Sequence, residues 1–319
     1  MVRQRSAKPL FAGSIPAVAS ISFPSPPAFS LISTVESHGW YLLAPFRWSR
    51  EELSLRRAEQ IGTKVFEMTV RHDGGKIEVD LDREITQREL AELELRFTRM
   101  FQFEVRLDEF HRLASSVETH RWVGEASFGR LLCGTTVFED AVKIIATTNT
   151  MWRQTVRMVE LLVKKCGRRS KAGNRAFPSP RDVARFSVDE LQEDCRLGYR
   201  AKTIHALASG VLDGSLDLAA ISDHTQATDE LFASYRLLPG IGPYGAAHLL
   251  AMAGRHDFIA VDTEFRRFVR ERYHGGRTVS DATMLRRYAK WGNWKYMAYW
   301  SELWGSVADS LQPDREGDQ

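Results

Sequence analysis

The chain of 319 residues can hold one large domain or two modest ones. Hydrophobic residues at 43% and charged residues at 27% argue for a folded globular protein, and no apolar run approaches the ~18 residues of a membrane span. The formal net charge of +3 is unevenly spread: from Arg236 to Lys295 eleven Lys/Arg stand against five Asp/Glu, so the remainder is slightly acidic.

Residues 1–30 contain no acid and five prolines, a composition read as a disordered tail. Arg3, Arg5 and Lys8 lend it a faint transit-peptide character, but Pro24, Pro26 and Pro27 would break an amphipathic helix. Residues 31–112 read as an N-terminal α/β domain. Phe66, Met68 and Val70 alternate with polar neighbours, as do Ile77, Val79 and Leu81, and Asp73-Gly74-Gly75 between them predicts a hairpin. Thr86 and Glu89 form a capping box ahead of a helix that carries Leu90, Leu93, Phe97 and Met100 on one face. From residue 113 to 319 the pattern is helical, broken by glycines and by the Pro178/Pro180 pair. The basic stretch Arg168–Arg175 is expected to be a mobile loop. His72 and His256 read as surface residues. Three isolated cysteines, Cys133, Cys166 and Cys195, argue for a reducing, intracellular setting and cannot supply the four thiolates of an iron–sulfur cluster.

The most informative segment is Leu238-Pro-Gly-Ile-Gly-Pro-Tyr-Gly-Ala-Ala, followed by Val261-Asp262-Thr263. Gly240 and Gly242 are free to take φ > 0, with Ile241 between them, and Pro243 suits a first helical turn. Unpaired amides at a helix start make an anion site that fits a DNA phosphate. Asp262 sits before the next helical pattern, Phe265, Phe268, Val269. Taken alone it reads as a helix N-cap, and taken with the hairpin it reads as a catalyst.

This pairing resembles the helix-hairpin-helix (HhH-GPD) DNA glycosylases, which carry a Gly/Pro-rich loop and a catalytic aspartate. Other segments match in the same order: Thr136–Thr150, Phe177-Pro-Ser-Pro, Leu197–Ile204 and Tyr288–Lys295. The resemblance runs from about residue 113 to 305. A weaker one, His38-Gly-Trp-Tyr-Leu-Leu-Ala-Pro-Phe-Arg-Trp, is similar to the extra N-terminal domain of the 3-methyladenine DNA glycosylase II and 8-oxoguanine glycosylase branches. The implied fold is mainly helical, with a smaller domain of antiparallel sheet plus helix at the N-terminus.

The resemblance also implies a chemistry. N-glycosidic cleavage builds positive charge on the sugar, and a carboxylate at Asp262 would stabilise it or orient water. Where the bifunctional 8-oxoguanine branch places its imine-forming lysine this chain has Tyr244, and a phenol cannot form an imine. Lys202 and Lys295 remain, but neither occupies the family's nucleophile position. The 3-methyladenine branch places an aromatic residue at that position. Tyr244, Phe138, Trp291 and Trp294 are therefore expected to wall a base pocket, since cationic alkylpurines are drawn to aromatic faces. Asn149, beside Met151 and Trp152, is expected to fill the gap left by a flipped base, and Arg266 to meet phosphate. The expected partner is damaged double-stranded DNA, bound by a monomer. No catalytic metal is expected, although a K+ or Na+ ion on the hairpin carbonyls fits the family. Alternatives are an oxidised-purine glycosylase and a non-catalytic DNA binder.

Overall fold

Five antiparallel strands open the fold in the order β1-β5-β4-β3-β2: β1 (Ala19–Pro24), β2 (Arg47–Ser49), β3 (Ser54–Ile61), β4 (Lys64–Asp73) and β5 (Lys76–Leu81). The structure, a computed structural model, describes residues 18–223 and 225–310, the last five by their backbone alone. The expected hairpin is present. Asp73 pairs with Lys76 around Gly74 and Gly75, both at positive φ, as a two-residue turn between right-twisted strands requires.

The reading of residues 1–30 as disordered fails from residue 19 onward. Ala19, Ile21 and Phe23 bury alternate side chains on the core face, and Ile21 pairs with Val79. The prolines concealed this strand, yet Pro24 is tolerated because β1 lies at the sheet edge. Residues 1–17 lie outside the described residues.

After α1 (Leu31–Val35) and the sheet comes α2 (Gln87–Met100), started by the expected Thr86–Glu89 capping box and buried through Leu90, Leu93, Phe97 and Met100. Then follow α3 (Asp108–Ser115), α4 (Trp122–Glu125), α5 (Val137–Thr147), α6 (Trp152–Cys166), α7 (Pro180–Val183) and α8 (Val188–Asp194). The chain continues through α9 (Arg200–Asp213), α10 (Leu218–Ile221), α11 (Thr228–Tyr235), α12 (Pro243–Met252), α13 (Thr263–His274), α14 (Asp281–Arg286) and α15 (Lys295–Ser310). No helix among the described residues is long and apolar enough to cross a membrane.

Packing does not divide the molecule at residue 112. One core joins the sheet and α2 to α5, α6, α9 and part of α12. The other gathers α3 and the residues around it with α13, α14 and α15. The reason lies in α5, whose residues from Phe138 to Ala146 are all buried, so it serves more than one neighbour.

A buried ionic cluster ties β3 to the start of α5. Arg57 Nη2 lies 3.0 Å from Glu139 and 2.6 Å from Glu59, and Lys143 Nζ lies 2.7 Å from Glu139. Burial alone would push the Glu139 carboxyl up, but the Arg57 and Lys143 charges prevail and hold it at about 2. The Arg168–Arg175 stretch is not a free loop. The Ser170 amide donates to the Asn174 carbonyl at 2.8 Å, Arg168 pairs with Asp182, and Arg47 donates to Asn174.

Candidate active site

The hairpin loop runs from the end of α11 into α12. Gly240 takes φ 75°, the left-handed region, and an added Cβ there would run into Thr203. Gly242 does not need that freedom. It is extended (φ −85°, ψ −171°), forms the N-cap of α12 ahead of Pro243, and has open space where a Cβ would stand. The two glycines therefore serve different ends: Gly240 lets the chain turn, and Gly242 keeps the helix start uncovered. Ile241 is buried, so only its backbone is available at the surface. The carbonyls of Leu238 and Gly242 already accept from Ile241 N and Ala246 N. Those of Pro239, Gly240 and Ile241 have no protein donor among the described residues, and a small set of free oxygens suits an alkali ion.

Twenty residues downstream, Asp262 starts the next helix and reaches a cavity beside the hairpin. Its Oδ1 accepts from the Phe265 amide at 2.7 Å, which makes it the N-cap of α13. It also lines a cavity of about 890 Å³ shared with Tyr244. The helix start favours the Asp262 anion, but burial outweighs it. Burial raises the Asp262 carboxyl above its ordinary value and Glu264 adds to the rise, while the Phe265 bond only partly offsets it. Burial, reinforced by the Asp262 charge, likewise pushes the Tyr244 phenol up to about 12, against a hydrogen bond with Thr147.

Of the other expected walls, none borders this cavity. Phe138 sits at the opposite end of α5 from Ile144, Thr147 and Thr148, which do border it, and faces a separate cavity beside Phe177. Trp294 stacks on Phe110 and donates to Glu109 at 2.9 Å, and Trp291 packs on Phe110 and His120. His256, read as a surface residue, is buried against Trp294 and Tyr296. Trp291 lies before a break at Gly292 (φ 55°) and Trp294 just ahead of Lys295, the first residue of α15, so neither belongs to the helix whose face borders the cavity. In α15 itself Tyr296, Tyr299, Trp300 and Leu303 share the face that borders the cavity, the i, i+3, i+4, i+7 stripe of a helix. That periodicity was the missed signal.

The N-terminal domain supplies a further wall that residue-by-residue reading did not assign: His38, Gly39 and Trp40. Trp152, expected beside the wedge, instead stacks on Trp40 with centroids 6.5 Å apart and covers Gly39, where a Cβ would collide with its indole. His248, one turn after Tyr244, packs edge-on against it, and burial lowers its pKa to about 4.

At the cavity mouth Asn149 is exposed in the left-handed region (φ 47°), and Met151 is 62% exposed. Tyr199, also overlooked, is 60% exposed, and its hydroxyl lies 3.4 Å from Asn149 Nδ2. Arg200 donates to the Thr148 carbonyl and so fixes this turn from below. Arg266 also borders the mouth, but its guanidinium is engaged by both oxygens of Asp281, at 2.8 and 2.9 Å.

Comparison with known proteins agrees with this fold. The 8-oxoguanine glycosylase/lyase of Clostridium acetobutylicum superposes with a TM-score of 0.71 at 16% identity, over 95% of this chain and 98% of that one. The 3-methyladenine DNA-glycosylase from Archaeoglobus fulgidus does so with a TM-score of 0.72 at 17% identity, over 90% of this chain and 99% of that one. At such identities the likeness is one of fold. No curated protein matches the chain by sequence. The family model of the HhH-GPD superfamily base excision DNA repair proteins matches residues 142–293, which hold the hairpin, Tyr244 and Asp262. Over that segment, the chain is similar to the HhH-GPD superfamily base excision DNA repair proteins.

Proposed function

We propose that this protein is a monofunctional DNA glycosylase that releases alkylated purines, 3-methyladenine first among them, from double-stranded DNA. The observation that carries the reading is the composition of the cavity: Asp262 and Tyr244 both line it, and no lysine does. Without an amine at the reacting carbon there is no imine, so water must take the sugar.

The steps follow from the residues. The hairpin amides and Gly242 receive a phosphate, helped by the positive end of α12. An alkali ion on the Pro239, Gly240 and Ile241 carbonyls would add positive charge at the same place. The damaged nucleotide leaves the stack, at a cost of a few kcal/mol, and Asn149 with Met151 and Tyr199 occupies the vacated space. Tyr244, Tyr296 and Trp300 offer aromatic faces to an electron-poor base, each worth roughly 0.5–2 kcal/mol to a cation. As the base departs, Asp262 faces the developing positive charge on the sugar and directs water to it.

The test is base release from methylated duplex DNA under single-turnover conditions, followed by borohydride treatment of the mixture. Free 3-methyladenine and an intact abasic strand with no trapped adduct are the expected products. Lesion-dependent trapping would contradict the monofunctional mechanism, and a marked preference for 8-oxoguanine would contradict the substrate.

A further inference from the structure

His38 borders the cavity from the N-terminal side, and the mechanism above gives it no task. The segment that carries it is fixed at several points. Ser37 Oγ accepts from the Leu132 amide at 3.1 Å, the Ser37 carbonyl accepts from Trp300 Nε1 at 2.8 Å, and Trp40 Nε1 donates to Asp140 at 2.9 Å. His38 is 7% exposed, and its ring packs against Trp40 with centroids 4.9 Å apart. Its Nε2 lies 2.7 Å from the Leu132 carbonyl. A carbonyl only accepts, so Nε2 carries the hydrogen of the ring. Burial keeps the imidazole neutral, with a pKa lowered to about 3. Nδ1 is therefore left with a bare lone pair.

That lone pair has no donor within the protein. His38 is the N-cap of the 3₁₀ turn Gly39–Leu42, yet its side chain makes no capping bond. Nor is Nδ1 sealed in the interior, unlike the two ring nitrogens of His256. A nearly buried acceptor on a rigid cavity wall is costly to leave unpaired, so it discriminates for a ligand that brings a donor.

On the reading of this cavity as the base pocket, we infer that Nδ1 of His38 accepts a hydrogen bond from an N–H on the edge of the flipped base. His38 is then a specificity-determining residue, and it favours purine lesions that keep such a donor, as the exocyclic amine of 3-methyladenine does. A lesion whose edge has lost its hydrogens would leave Nδ1 unpaired and be released more slowly.

Two substitutions separate the acceptor from the packing. His38→Gln keeps an amide N–H within reach of the Leu132 carbonyl but removes the ring nitrogen. His38→Asn places an amide oxygen near the Nδ1 position and gives up the Leu132 bond. The full-length variants are compared by single-turnover release of 3-methyladenine from methylated duplex DNA and by affinity for an abasic duplex. His38→Gln is expected to release the base on the order of tenfold to a hundredfold more slowly, and His38→Asn to stay within a few fold of wild type. Abasic-DNA affinity should be unchanged in both. Equal slowing of the two variants, wild-type release by His38→Gln, or lost abasic binding would each overturn the inference. A wild-type protein that releases no 3-methyladenine would sink the substrate reading and this inference together. A wild type that releases it while His38→Gln keeps pace would sink this inference alone.

Discussion

Asp262 caps a helix and faces a cavity with the same carboxylate, and the two roles make separable demands. Asparagine caps a helix about as well as aspartate, but it cannot stabilise a sugar cation. Asp262→Asn should therefore abolish base release while leaving abasic-DNA binding and the fold intact, and near wild-type single-turnover rates would remove Asp262 from the mechanism. The pH dependence follows from the raised carboxyl. Release needs the ionised form, and burial disfavours it, so the acid limb of the rate profile should lie above the ordinary aspartate value of 3.8. For stability the sign runs the other way: a carboxyl with a raised folded-state pKa stabilises at low pH, and that contribution is lost as pH rises through the folded value. At pH 7, Asp262→Asn should accordingly melt no lower than wild type. The same scale shows where sequence sufficed. Tyr244 and Asp262 were legible because the hairpin fixes their spacing. Trp291 and Trp294 were misassigned because residue type alone does not reveal which aromatic residues share the cavity-facing side of α15.

The hairpin offers the corresponding test for an element. Its two glycines look equivalent in the sequence, but only Gly240 uses the left-handed region, and only at Gly240 would a side chain strike a neighbour, Thr203. Gly240→Val should lower the melting temperature, with any loss of DNA binding following from misfolding. A Cβ at Gly242 meets no protein atom, so the fold of Gly242→Val should hold while affinity for damaged and undamaged duplexes drops alike, because phosphate contacts carry no sequence information. A Gly242→Val protein that loses only damaged DNA would assign the hairpin to the pocket instead. Elements with strong local signals were readable in advance: the β4–β5 hairpin from its glycine turn, α2 from its capping box and apolar stripe. β1 was not, because its pairing with β5 is long-range and its prolines mimic a disordered tail.

For the molecule as a whole, sequence indicated two domains but could not show that they share a core, since that depends on which faces of α5 are buried. The ionic cluster of Arg57, Glu59, Glu139 and Lys143 lies at this junction, and none of its residues lines the cavity. Removing Glu139 would leave Arg57 and Lys143 buried with Glu59 as the remaining acid of the cluster. Breaking a buried pair in this way costs about 3–5 kcal/mol. Glu139→Gln should therefore lower thermal stability markedly while each folded molecule releases base at the wild-type rate. Because one core spans the sheet and the helices, the described domains should still melt together in a single transition. The acid range gives an independent check. The folded-state value of Glu139 is held at about 2 against an ordinary 4.5, so its contribution is present above the ordinary value and lost as pH falls towards 2. Melts monitored by circular dichroism between pH 7 and pH 3 should show wild type losing stability more steeply than Glu139→Gln below pH 4.5. Parallel curves, or a wild type that unfolds in two steps, would mean that the cluster does not couple the sheet to the helices.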